Sequence, residues 1–102
     1  MIPKKIKIGG HVLNVEVTND CDIIAANEIG ITTIAKNIIY INKNFPLSRQ
    51  QEALLHETIH NCFFDLNEEQ DEELVVRLGT IFFQVLKDNP GLMDYIKESD
   101  QK

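Results

Sequence analysis

The sequence predicts a single α+β domain over residues 1–102, with a small, mostly antiparallel sheet packed against two long antiparallel helices and a short C-terminal helix. Two patterns predict this fold class. Val and Ile alternate at a period of two in the first half, and apolar residues recur at helical spacing in the second half. A chain of 102 residues, 43% of them apolar, is also of a size that builds one hydrophobic core.

The first half predicts two β-hairpins, because each turn is flanked by runs rich in Val and Ile. The predicted strands and turns are 6–8, Gly9-Gly10 and 11–17, then 31–35, Lys36-Asn37 and 38–42. Between the hairpins, residues 18–22 have the composition of a loop. Residues 23–28 are compatible with either a short helical turn or irregular structure.

The second half predicts helices. The first is expected from about residue 49 to 65, with Ser48 as its N-cap and Gln51 at the capping-box position. Residues 66–68 form a short connection to the next helix. These signals place a long helix directly after the second hairpin.

A second helix is predicted over residues 69–87, where apolar residues recur three or four positions apart. Asn89 and Pro90 end it, because proline cannot continue a helix from within. Pro90 is favoured at the first position of a new helix, so a third, short helix is predicted over residues 91–97 with Asn89 as its cap.

Composition and charge narrow the classes of function. The formal net charge is -6, and an acidic surface disfavours nucleic acids and anionic membranes as partners. The longest apolar runs are far shorter than the ~18 residues of a spanning helix, and no signal-type stretch follows the first residues, which favours a cytoplasmic location. Cys21 and Cys62 are then expected to be reduced thiols, with Cys62 packed as a small apolar residue.

The most informative motif is His56-Glu57-Thr58-Ile59-His60, an H-E-x-x-H pentad within the first predicted helix. Histidines four positions apart lie one above the other on a helix face, so both imidazoles can bind one zinc ion. Glu57 is rotated away from that face, which suits a general base for a metal-activated water better than a ligand. The pentad therefore predicts one zinc ion per chain, bound by His56 and His60.

A catalytic zinc site takes three protein ligands, so one more must come from elsewhere in the chain. Because the connection after the first helix is short, the second helix should run antiparallel and bring its first turns opposite His60. Glu72 shares the inward face with Val75 and is the predicted third ligand; Glu73 is the alternative, and Asp71 is a weaker one. An acidic first turn is also what a helix N-terminus favours without any metal.

The pentad, followed by an acid on a second helix, resembles the gluzincin class of zinc metallopeptidases. Over residues 2–90, the order Ile-Pro-Lys-Lys-Ile-Lys-Ile-Gly-Gly, Leu-Leu-His-Glu-Thr-Ile-His and Asp-Glu-Glu-Leu-Val is similar to small phage and prophage proteins of minimal zincin type, distantly related to the ImmA/IrrE group. The resemblance implies His56 and His60 as ligands, Glu57 as general base and an acid at position 72 or 73 as third ligand. Residues 61–64 lack the histidine extension of metzincins, so a third histidine ligand is not expected.

The predicted function is zinc-dependent hydrolysis of peptide bonds, with a peptide or protein substrate that adds a strand to the edge of the 31–42 hairpin. One alternative is a non-catalytic, zinc-stabilised phage domain that binds a protein partner. Another is that no metal binds and the pentad histidines are surface residues, as is expected of His11. Imidazole and carboxylate ligands also suit manganese, iron and cobalt.

Overall fold

The strands precede the helices along the chain, as the sequence predicts, and the α+β fold class is confirmed. The computed structural model describes residues 1–66, 69 and 71–100. The elements in chain order are β1 (Lys5–Ile8), β2 (His11–Thr18), β3 (Gly30–Thr33), β4 (Ile38–Asn42), α1 (Leu47–Asp65), α2 (Glu72–Asp88) and α3 (Pro90–Ile96).

The strands form one mixed sheet in the order β1-β2-β4-β3. β1 and β2 form an antiparallel hairpin through Gly9, whose φ of 59° lies in the left-handed region that a tight turn requires. β3 and β4 form a second antiparallel hairpin, so both predicted hairpins are confirmed. The central strands β2 and β4 pair in parallel, with Val15 opposite Ile39.

Strand β3 is shorter than the predicted strand over residues 31–35. It ends at Thr33, and the chain then makes a 3-10 turn over Ile34–Lys36. Asn37 follows with φ 52° and ψ 50°, a left-handed conformation that asparagine adopts more readily than most residues. The predicted turn is thus confirmed, and β3 lies at the edge of the sheet with β4 as its neighbour.

The hydrophobic core lies between one face of the sheet and α1. Its buried members come from three strands and are Ile8, Leu13, Val15, Ile39 and Ile41. Ala53 and Leu54 of α1 pack against this cluster. Because these two residues precede the pentad, the apolar contact fixes the first half of α1 on the sheet and positions the histidines that follow.

Asn42, at the end of β4, organises the loop that the sequence left open. Its side chain is 2% exposed and donates hydrogen bonds to the backbone oxygens of Ala25 (3.4 Å) and Glu28 (3.0 Å). Its Oδ1 accepts from the backbone N–H of Asn44 at 3.0 Å. Residues 23–28 therefore form a series of turns around a buried amide, with Ile24 beneath them in the interior.

The predicted start of the first helix is wrong by two residues. α1 begins at Leu47, and Pro46 occupies the N-cap position, so Ser48 lies within the first turn and Gln51 is not part of a capping box. The backbone N–H of Arg49 already donates to the Pro46 oxygen at 3.0 Å. The restricted φ of proline favours helix entry at this point, which overrides the local capping signal at Ser48.

Helix α2 begins at Glu72, three residues later than predicted. Asp71 is its N-cap, and its Oδ1 accepts a hydrogen bond from the backbone N–H of Leu74 at 3.3 Å. Within the predicted connection 66–68, Leu66 terminates α1, whereas residues 67 and 68 lie outside the described residues. The acidic cap and first turn suit the positive end of the helix dipole.

The helices α1 and α2 run antiparallel, as predicted. Val75 of α2 is fully buried, and Gly79 faces the backbone of α1, where a β-carbon at position 79 would lie 3.8 Å from the Cα of His56. Farther along, Lys87 Nζ lies 3.5 Å from Gln51 Oε1. The two helices are therefore in contact beside the pentad, at a distance that a β-carbon at position 79 would fill in ordinary van der Waals contact.

The third helix is confirmed with Pro90 at its first position. Asn89 does not cap this helix through its side chain, so that expectation is wrong. Instead, Asn89 Nδ2 donates a hydrogen bond at 2.9 Å to the Val85 backbone oxygen in the last turn of α2. Helix α3 packs on α2. Within the described part of the chain, no helix combines the length and the apolar character needed to cross a membrane.

Replacement of Asn42 by alanine should destabilise the fold by about 1–3 kcal/mol, because it removes a buried amide together with its hydrogen bonds to Ala25, Glu28 and Asn44. Urea unfolding followed by circular dichroism measures this loss. Asn19→Ala is the matched control, since Asn19 is exposed and its amide makes one long contact of 3.5 Å with Asn44. Equal unfolding midpoints for the two variants would contradict the role given to Asn42.

Candidate metal centre

The two histidines of the pentad converge on one point beside α1. His56 Nε2 and His60 Nε2 lie 3.1 Å apart. The ring centroids are 4.7 Å apart and the ring planes are inclined at 74°. This geometry follows from the four-residue spacing on a helix, which stacks side chains one turn apart on the same face. Both imidazoles therefore present the same nitrogen to a shared position.

Glu72 approaches the same point from α2. Its Oε1 lies 3.1 Å from His56 Nε2, and its Oε2 lies 2.9 Å from His60 Nε2. Among the described residues, these three side chains form a group whose donor atoms all lie within 4.8 Å of one another. The first turn of α2 thus supplies a carboxylate opposite the pentad, as the antiparallel arrangement predicts.

The spacing of these atoms fits a zinc ion. Zinc ligands lie about 2.0–2.2 Å from the metal, so two ligands of a tetrahedral ion are about 3.3 Å apart. The corresponding separations are 3.1, 3.1 and 2.9 Å, with each ring measured to the Glu72 oxygen that faces it. Two imidazoles and one carboxylate also form a ligand set that catalytic zinc sites use.

One side of this group opens to solvent. The side chains of His56 and His60 are 25% and 21% exposed, whereas that of Glu72 is 65% exposed. A structural zinc site is closed by four protein ligands, but a catalytic one leaves a position for water or substrate. The exposure of Glu72 leaves room for such a fourth ligand.

The two alternative acids, and the remaining histidine, have different roles in the structure. Glu73 forms an exposed ion pair with Arg77 one turn along α2. Asp71 caps α2. His11 lies on the surface, with Nε2 3.8 Å from Asp65 Oδ1. The structure therefore brings together the preferred triad and leaves these three outside it, while metal binding itself stays a prediction.

Glu57 lies on the side of α1 that faces the sheet. It is 8% exposed, and its Oε1 accepts a hydrogen bond from the Thr32 hydroxyl of β3 at 2.6 Å. It is outside the group of three candidate ligands, as its angular position on the helix predicts. Gly30 makes room for it, because a β-carbon at position 30 would lie 3.3 Å from Glu57 Cγ.

Thr32 and Asn61 were missed by the sequence analysis. Asn61 is 6% exposed, and its Nδ2 donates to Thr32 Oγ1 at 3.1 Å and to the Glu57 backbone oxygen at 2.8 Å. Asn61 follows Glu57 by four positions and shares its helix face, which is a signal that the sequence did contain. Thr32 had no such signal, because its contact depends on how β3 packs on α1.

A cleft of about 360 Å³ lies beside this arrangement. Its walls come from β3, α1 and α2, and they include Gly30, Ala53, His56, Glu57 and Gly79. The cleft therefore lies next to the pentad, between the edge strand and the two long helices. A substrate in this cleft would lie beside both His56 and Glu57.

The cysteines do not contribute to the centre. Cys21 and Cys62 are both free and exposed, so the expectation that Cys62 packs as a small apolar residue is wrong. Partial burial and the nearby Asp65 carboxylate raise the pKa of the Cys62 thiol. A neutral thiol is a poor metal ligand and a poor nucleophile.

Comparisons with protein-family models, with curated proteins and with solved structures give no match to this chain. The geometry of the His56, His60 and Glu72 group and the surroundings of Glu57 are therefore the observations that bear on function.

Glu72→Gln should weaken zinc binding by roughly tenfold or more, because the amide removes the charged ligand oxygen while preserving the shape of the side chain. Glu73→Gln is the matched control and should leave the affinity unchanged, since Glu73 pairs with Arg77 on the surface. Competition with a chromogenic chelator measures both affinities. Equal effects of the two substitutions would remove Glu72 from the ligand set.

Removal of metal by a chelator should lower the melting temperature of the wild-type protein by roughly 5 °C or more, because zinc that binds only the folded state stabilises it. His56→Ala and His60→Ala should melt at the lower temperature and show no response to chelator. His11→Ala, which lies outside the group, should behave as the wild type does. Differential scanning calorimetry makes the comparison, and an unchanged wild-type melting temperature would contradict it.

Proposed function

We propose that this chain is a zinc-dependent metallopeptidase that binds one zinc ion through His56, His60 and Glu72 and hydrolyses peptide bonds with Glu57 as general base. The observation that carries the proposal is the convergence of two imidazole nitrogens and a carboxylate from a second helix within 3.1 Å of one another. Two imidazoles and a carboxylate at such distances form a ligand set of the kind that binds zinc.

The chemistry divides between the metal and Glu57. When bound, zinc would lower the pKa of a water molecule and would polarise the substrate carbonyl. Glu57 accepts the proton of the attacking water and later donates it to the leaving amine nitrogen. Its position next to His56 in the chain and its place in the cleft wall support this role.

A peptide is the substrate class that the edge strand supports. β3 pairs with β4 on one side, so its other edge offers backbone N–H and C=O groups to an extended chain. Gly30 of this strand also lines the cleft beside His56. A peptide added along β3 would therefore pass the pentad and present its carbonyl groups to the centre.

One observation favours a second candidate, a non-catalytic, zinc-stabilised domain that binds a protein partner. Glu57 is buried, and one of its oxygens already accepts a hydrogen bond from Thr32. The carboxylate thus also links α1 to β3, which is a structural task. The two candidates differ in whether the exposed fourth position at the metal is used for chemistry.

Glu57→Gln separates these candidates. The variant should bind zinc as the wild type does and keep the Thr32 hydrogen bond through its amide oxygen, but lose hydrolysis by roughly 100-fold or more, because an amide cannot accept the proton. Cleavage of a mixed peptide library, followed by mass spectrometry, measures activity, and elemental analysis measures zinc. Wild-type cleavage should disappear on adding chelator.

Two results would count against the peptidase. Zinc bound at one equivalent without cleavage of any library peptide would support the non-catalytic domain. Loss of zinc from Glu57→Gln would instead show that Glu57 supports the metal site rather than the chemistry.

A further inference from the structure

Thr32 and Asn61 lie behind the Glu57 carboxylate, on the side that faces the sheet. Thr32 belongs to the edge strand β3, and Asn61 lies one turn beyond Glu57 on α1. Glu57 and Asn61 are the buried residues of α1, although both are polar. Burial of polar groups costs stability unless each is hydrogen-bonded. The hydrogen bonds of Glu57 and Asn61 therefore have to explain why two polar side chains are buried on α1.

The hydrogen bonds among these groups run in one direction. Asn61 Nδ2 has two hydrogens and donates one to Thr32 Oγ1 (3.1 Å) and the other to the Glu57 backbone oxygen (2.8 Å). An ionised carboxylate can only accept, so the Thr32 hydroxyl donates its hydrogen to Glu57 Oε1 at 2.6 Å. Asn61 thereby donates to the oxygen of the Thr32 hydroxyl. The hydrogen of that hydroxyl is then directed to Glu57.

We propose that Thr32 is a positioning residue for the general base and that Asn61 orients its hydroxyl. Thr32 holds one carboxylate oxygen of Glu57 against β3 and leaves Oε2 as the oxygen that meets the attacking water. This inference rests on the proposed peptidase function. It also connects the base to the strand along which the peptide adds, so that substrate and base share one rigid element.

The hydrogen bond from Thr32 would act on the geometry of the Glu57 carboxylate. A glutamate side chain has three rotatable bonds, and a carboxylate that samples several rotamers spends less time in the productive one. Because a misplacement of about 1 Å can lower a rate 100-fold, fixing the carboxylate at one oxygen raises kcat without a matching effect on KM. Neither Thr32 nor Asn61 is among the candidate metal ligands, so zinc content should not depend on either.

Thr32→Val and Thr32→Ser form the central test. Valine keeps the shape and the β-branched side chain that suits a strand, but removes the hydroxyl, whereas serine keeps the hydroxyl. We expect Thr32→Val to lose about 10- to 100-fold in kcat with little change in KM or zinc content, and Thr32→Ser to stay within about threefold of the wild type. Equal kcat values for the valine and serine variants would overturn the inference.

Asn61→Ala tests the same arrangement without altering β3, and it serves if Thr32→Val does not fold. It removes the donor to Thr32, so kcat should fall about threefold or more while zinc remains bound. An unchanged kcat would refute the role of Asn61.

A readout that needs no substrate separates this inference from the proposed function. In zinc-loaded, carbon-13-labelled protein, three-bond couplings of Glu57 should report a single side-chain rotamer in the wild type and in Thr32→Ser. They should report averaged rotamers in Thr32→Val. If the wild type cleaves no peptide, the peptidase proposal fails, and the couplings still decide whether Thr32 fixes the Glu57 carboxylate. A single rotamer in all three proteins would overturn the role of Thr32.

Discussion

The close packing of α1 against α2 is the constraint on which the candidate site depends. Two histidines on one helix provide two donors, and the third must arrive from another element. Glu72 reaches them because α2 runs antiparallel to α1 and packs against it, with Gly79 next to His56. Val75, which lies between Glu72 and Gly79 on α2, is fully buried in the same interface.

Helix α1 has polar residues on two of its faces, which is unusual for a helix packed on a sheet. One face presents His56 and His60 to Glu72, and the other presents Glu57 and Asn61 to β3. In the part of the chain that the structure describes, every buried side-chain nitrogen and oxygen has a hydrogen-bond partner. Attachment to the sheet therefore combines apolar contacts of Ala53 and Leu54 with the hydrogen bonds that Glu57 and Asn61 make to Thr32 of β3.

Local patterns in the sequence predicted most of the elements but not how they pair. Alternating Val and Ile predicted the strands, and helical spacing predicted the pentad helix and the approach of Glu72. The parallel pairing of β2 with β4 could not be read in this way, because it joins strands that are distant in the chain. The same holds for the Thr32 contact with Glu57. At Ser48, a local capping signal was misleading because Pro46 starts the helix earlier.

The carboxylate at Glu72 lies in the first turn of α2, directly after the connection from α1. A cation shared by His60 and Glu72 would therefore act as a cross-link that closes a short loop. Unlike a disulfide, such a cross-link would be present only in the folded chain, so its binding free energy would add directly to the stability of the α1–α2 contact. Because α2 packs on α1 and α3 on α2, this one link would tether the C-terminal third of the protein to the sheet-bound helix.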